Sequence, residues 1–123
     1  MSASNSLVGG GGSQRVGDDV RVRSDGNYLV VTSNWHDEVL DKANAGAVTF
    51  GNGATGVVGR VSAANSLVGD NAGDQVGSGG IYNVANGNYV VASPEWNGGR
   101  GAVTWADGST GIIGTPEIGR AHV

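Results

Sequence analysis

Few residues in this chain have types and spacings that could do chemistry. His36-Asp37-Glu38 sets an imidazole beside two carboxylates, the groups a metal ion or an acid–base pair would use. Three neighbours on one loop rarely converge on a single ion, so the segment reads as a solvated polar loop. The other histidine, His122, stands next to last. No serine occupies a Gly-x-Ser-x-Gly elbow between a strand and a helix. The run Gly9-Gly10-Gly11-Gly12 lacks the Lys-Ser/Thr of a phosphate cradle and reads as a flexible turn. Asp25-Gly26-Asn27 and Asn86-Gly87-Asn88 resemble pieces of calcium loops. Calcium wants several carboxylates, and the second piece offers none, so both read as hairpin turns. With no cysteine there is no disulfide, thiolate site or Cys nucleophile. No catalytic residue, metal site or cofactor is expected.

The aromatic side chains make a stronger case. Tyr28/Tyr89, Trp35/Trp96 and Phe50/Trp105 recur at equivalent places in two halves of the chain. Packing between the halves is the first explanation. A second is a lectin-like platform. Trp35 and Trp96 follow a strand at a loop edge, beside Asn34, Glu95 and Asn97. An indole offers an apolar face and one N–H donor, which suits a sugar ring. Those five residues are the candidate ligand-binding set, with a glycan as the ligand.

What must position them is a duplication. Asn5-Ser6-Leu7-Val8-Gly9 returns as Asn65-Ser66-Leu67-Val68-Gly69, and Val16-Gly17 as Val76-Gly77. Gly26-Asn27-Tyr28 matches Gly87-Asn88-Tyr89. After a loop that shortens in the second copy, Gly46-Ala47-Val48-Thr49-Phe50 matches Gly101-Ala102-Val103-Thr104-Trp105. Thr55-Gly56-Val57-Val58-Gly59 matches Thr110-Gly111-Ile112-Ile113-Gly114. The chain is therefore one module, 1–123, with a first repeat over 5–64 and a second over 65–123.

Composition alone leaves two classes, all-β or disordered. Of 123 residues, 24 are glycine, which disfavours long helices, while 18 valines and 11 asparagines suit short strands and tight turns. Strands are expected at Leu7-Val8, Val20 to Arg23, Tyr28 to Thr32, Ala47 to Phe50 and Val57-Val58. In the second repeat they fall at Leu67-Val68, Ile81 to Val84, Tyr89 to Ser93, Ala102 to Trp105 and Ile112-Ile113. Val20-Arg21-Val22-Arg23 alternates as a strand with one wet face does. Asp25-Gly26, Asn86-Gly87, Asn52-Gly53 and Asp107-Gly108 supply left-handed turn positions. Residues 36–44 could hold a helical turn. The fold class is all-β, with two tandem four-stranded antiparallel repeats.

Seven basic against eleven acidic residues give a net charge of −4, which disfavours nucleic acid and anionic membranes as partners. No wholly apolar run exceeds four residues, so membrane insertion by a helix is not expected. Met1 to Asn5 has neither the charged nor the apolar part of a secretory signal.

A meander of about 60 residues has the size of a β-propeller blade, and propellers need four to eight of them. Two blades leave edges and faces open, so the chain must close a ring with copies of itself, belong to a longer parent or fold as a two-sheet sandwich; the expected partner is the chain itself, as a trimer or tetramer.

Several blocks together, Ser62 to Gly69, Asp74 to Gly77, Gly87 to Trp96 and Gly101 to Trp105, resemble tandem repeats of large bacterial filamentous-haemagglutinin-like surface proteins. The resemblance implies a secreted or cell-surface setting within a parent protein, adhesin-like in context. The first repeat departs from it at Ser33 and Asn34, where the second has Pro94 and Glu95, and Pro116 to Val123 is a degenerate restart. The expected function is that of a non-enzymatic structural or binding module that self-assembles. A glycan-binding adhesin module and an excised or engineered propeller fragment without ligand stand as alternatives.

Overall fold

The computed structural model describes residues 2, 4–10 and 14–115. His122, the degenerate restart from Pro116 to Val123, and Gly11-Gly12 of the glycine run lie outside the described residues.

Nine short strands and almost no helix make up the described residues. β1 (Leu7–Val8) pairs in parallel with β5 (Gly59–Arg60). β2 (Asp19–Val22), β3 (Tyr28–Thr32), β4 (Ala47–Gly51) and β6 (Ser66–Val68) form one antiparallel sheet, in that order. β7 (Gly80–Asn83), β8 (Tyr89–Ser93) and β9 (Ala102–Ala106) form a second. The fourth strand of the first sheet, β6, thus comes from beyond residue 64. Val57-Val58 and Ile112-Ile113 form no strand; pairing falls instead on Gly59–Arg60 and on an isolated bridge at Gly114. Residues 36–44 make turns, and the one α-helical turn, α1, is Trp96–Gly99.

Turn chemistry explains the hairpins, with one correction. Gly26 and Gly87 do take positive φ, 90° and 77°, before the tyrosine strands. Gly53 and Gly108 do not take the left-handed conformation expected of them. They are glycine for room: a Cβ on either would collide with the carbonyl oxygen of Gly26 or Gly87 in the facing turn. Asn27 Oδ1 and Asn88 Oδ1 then accept the Gly53 and Gly108 N–H groups at 2.9 and 3.0 Å.

Alternation along the paired strands gives each sheet two faces. Leu29, Val31, Val48, Phe50 and Leu67 form the front of the first sheet, and Ile81, Tyr89, Val91 and Ala106 the back of the second. These two faces pack together as the main core. A smaller cluster of Trp35, Ala45, Ala47, Val61 and Val68 lies behind one end of the first sheet, with Leu7 and Val16 against it. At the other end of that back face Val20 and Val22 stand in solvent. The alternation of β2 is real, but its apolar side is the uncovered one.

Candidate functional site

The five residues of the proposed glycan platform sit on two separate, repeat-equivalent loops. Asn34 and Glu95 are exposed on turns that end β3 and β8. Trp35 is 5% exposed and Trp96 7%, so neither ring offers a face to a sugar. Trp35 packs into the smaller cluster, its carbonyl accepting the Gly46 N–H at 3.1 Å. Trp96 opens α1, and its carbonyl accepts the Gly101 N–H at 2.9 Å in the same way. No hydrogen bond joins the two loops among the described residues.

The His36 segment is organised by its own backbone. Asp37 is buried, and its Oδ1 accepts the N–H groups of Val39 and Leu40 at 3.0 and 3.1 Å, closing the turn. His36 Nε2 meets Asp41 Oδ1 at 2.9 Å, and Glu38 faces Arg60 at 3.9 Å. The three side chains are thus engaged separately. Among the described residues no cluster of three or more His, Cys, Asp or Glu could hold a metal ion. A groove of ≈ 540 Å³ opens beside this loop, between Trp35, Val39 and Leu40 on one side and Arg60 to Ala64 on the other.

Two buried polar residues that the sequence did not single out do repeat-equivalent work. Gln14 Oε1 accepts the Gly10 N–H at 3.0 Å while its Nε2 donates to the His36 carbonyl at 3.3 Å. At the matching place Asp74 Oδ2 accepts the Asp70 and Asn71 N–H groups, and its Oδ1 accepts the Asn97 N–H at 2.9 Å. Each ties a turn to the loop carrying Trp35 or Trp96. The signal was present: both lie two residues before the matched Val-Gly pair. The change from Gln to Asp hid it, because an amide can donate to a carbonyl and a carboxylate can only accept.

Arg23 is a second omission. It is buried at the junction of the two sheets, where Nη1 donates to Asn83 Oδ1 at 2.8 Å and Nη2 donates to the Gly87 carbonyl. Its guanidinium lies 4.8 Å from the Tyr89 ring centroid. Burial pushes the Tyr89 hydroxyl up to about 12, with Arg23 opposing and the Asp107 charge adding to the rise. In the unfolded chain the phenol ionises near 10. The stability held by the neutral, buried phenol is therefore whole below pH 10 and is lost as pH climbs toward 12. At ~1.4 kcal/mol for each pH unit, roughly 2–3 kcal/mol should go across that window. Denaturant melts at pH 9 to 12 check this, and Tyr89→Phe should flatten the slope.

A further open feature is a face. Val103 and Trp105 on β9, with Tyr82 on β7, stand on the front of the second sheet. Val48, the repeat counterpart of Val103, is 2% exposed; Val103 is 72% exposed. The same sequence position is core in one repeat and surface in the other.

No curated protein and no solved structure matches the chain. A family model described as a repeat of unknown function (DUF5650) matches residues 22–78 and 83–118. The first match runs from the end of β2 through β6 to the Asp74 turn, and so takes in the fourth strand of the first sheet. Nothing in that match links the repeat to haemagglutinin-like or adhesin proteins. Two copies together cover well over half the chain, which belongs to this family of repeats of unknown function.

Proposed function

We propose that the chain is a non-enzymatic structural module that builds larger β-assemblies by stacking copies of itself, front to back. One observation carries the reading. Within the chain the front of the first sheet is buried on the back of the second, while the equivalent front of the second sheet and part of the first sheet's back stand open. A contact that joins different surfaces of identical units repeats until it closes a ring or runs on as a filament. Closure with three or four copies would give a six- or eight-bladed propeller. The sequence resemblance to haemagglutinin-like repeats supports a place at a bacterial surface.

Light scattering on a sizing column tests the reading. The expected mass is three or four times 12.2 kDa. Val103→Glu sets an unpaired carboxylate into the stacked face, a cost of several kcal/mol, and should return a folded monomer at the same concentration. A wild-type chain that stays monomeric at every concentration overturns the proposal.

The glycan reading draws on the groove beside Trp35. A sugar bound there should change tryptophan fluorescence, and a glycan array without hits would end it.

A further inference from the structure

We infer that the chain carries both halves of a strand-donation joint: Ser6–Val8 of one copy completes the second sheet of another by pairing with the open edge of β9. This rests on the assembly reading above and names its contact.

The joint already exists once inside the chain. β6 pairs on one side with β4, matching Ala47 to Val68, Val48 to Leu67 and Thr49 to Ser66. On its other side Leu67 bridges in parallel to Gly114. Its repeat counterpart β1 keeps only the second of these partnerships, with Leu7 matched to Gly59. β9, the counterpart of β4, pairs with β8 and has no second neighbour among the described residues. Among the described residues, one chain therefore presents a donor strand lacking its acceptor and an acceptor lacking its donor. Moving the β4–β6 register along by one repeat sets Ala102 against Val8, Val103 against Leu7 and Thr104 against Ser6 of the next copy.

Side chains fit that register. Ser66 donates its hydroxyl to Asn65 Oδ1 at 2.7 Å, which leaves Thr49 to donate to Ser66 across the joint at 2.6 Å. Ser6 likewise donates to Asn5 Oδ1, at 2.9 Å, and its lone pairs are ready for the Thr104 hydroxyl. The donor is also preshaped. The Asn65 N–H reaches the Ser62 carbonyl at 3.1 Å, and Asn65 Oδ1 accepts the Ser62 N–H at 2.9 Å. Asn5 and Ser2 repeat both bonds at 3.1 and 3.0 Å, so the arm spends little entropy on docking.

The stacked face agrees. A Cβ placed on Gly77 would press on Val48 and Val31, because Gly77 covers the first sheet's front. Its counterpart Gly17 has nothing within 4 Å, an open half of the same contact. One movement thus pairs β1 with β9 and carries Gly17 over Val103 and Ala92 of the neighbour.

The chain's own residues 120–123 are a poorer donor by sequence. Arg-Ala-His-Val stands where Asn-Ser-Leu-Val is wanted. Ala121 has no hydroxyl for Thr104, and His122 would bring an imidazole to the place where Leu67 is fully buried.

The absence of cysteine makes the test clean. Ser6→Cys and Thr104→Cys, placed together in one chain, should form disulfide-linked multimers on mild oxidation, seen on a non-reducing denaturing gel and lost with reductant. Leu7→Cys with Thr104→Cys is the control. A shift of one residue puts the thiols on opposite faces, so cross-linking should fall by about tenfold or more. Light scattering of the unmodified chain runs in parallel. If it assembles and the in-register pair stays unlinked, strand donation is overturned while assembly stands. Linkage only within single chains also overturns the joint, because the head then closes its own edge. A monomeric unmodified chain removes the assembly reading and this joint with it. Should the double variant fail to fold, mixing the two single variants decides: a linked dimer unique to the mixture supports the joint, and its absence overturns it.

Discussion

Trp35→Ala should cost roughly 3–5 kcal/mol of stability, as the truncation of a large buried aromatic does. That is a substantial share of the ~5–15 kcal/mol by which a small domain is held. The ring is packed among Ala45, Ala47, Val61 and Val68, a cluster of small side chains that cannot swell into the space it leaves. Trp96→Ala should behave similarly, because α1 is a single turn whose one buried residue is Trp96. Denaturant melts followed by far-UV circular dichroism give the numbers. The outcome also bears on the glycan reading. A variant that keeps its stability and loses binding to a sugar would make the indole a ligand platform, and a large loss of stability makes it a packing residue. Burial of both rings leads us to expect the second.

How legible this was follows from where each signal lay. The duplication, the all-β class and the turns at Gly26 and Gly87 were readable because they are local. Each depends on a few neighbouring residues whose conformational preferences are strong. The side of a strand that meets the core was not local. Val20 and Val22 alternate as well as any core strand, yet they are exposed, since at their end of the back face nothing among the described residues covers them. Val48 and Val103 make the same point in reverse: identical residues in identical motifs differ because only one has a sheet laid over it. Trp35 and Trp96 stand just past the ends of β3 and β8. The ties that hold their loops run through Gln14 and Asp74, hidden in the repeat by a change of side chain.

Arg23→Met should be nearly as damaging, by ~3–4 kcal/mol. Two charge-assisted hydrogen bonds are lost at once, each worth roughly 1.5–3 kcal/mol, along with the contact over the Tyr89 ring. The acceptors left behind, Asn83 Oδ1 and the Gly87 carbonyl, belong to the second repeat, so the junction between the two sheets weakens and neither sheet loses a strand. Arg23 faces no counterpart lock at the next joint. The residue at its place in the second repeat is the exposed Val84, and the residue matching Asn83 in the first repeat is Val22. The internal junction is therefore an apolar core with a polar tie at Arg23, while the proposed junction between copies would lack this tie. It follows that Arg23→Met should lower the midpoint of chain unfolding and leave the mass of the assembled state unchanged while the chain is folded. Melts and light scattering on the same samples separate the two effects. A variant that dissociates before it unfolds would show that Arg23 also serves the contact between copies.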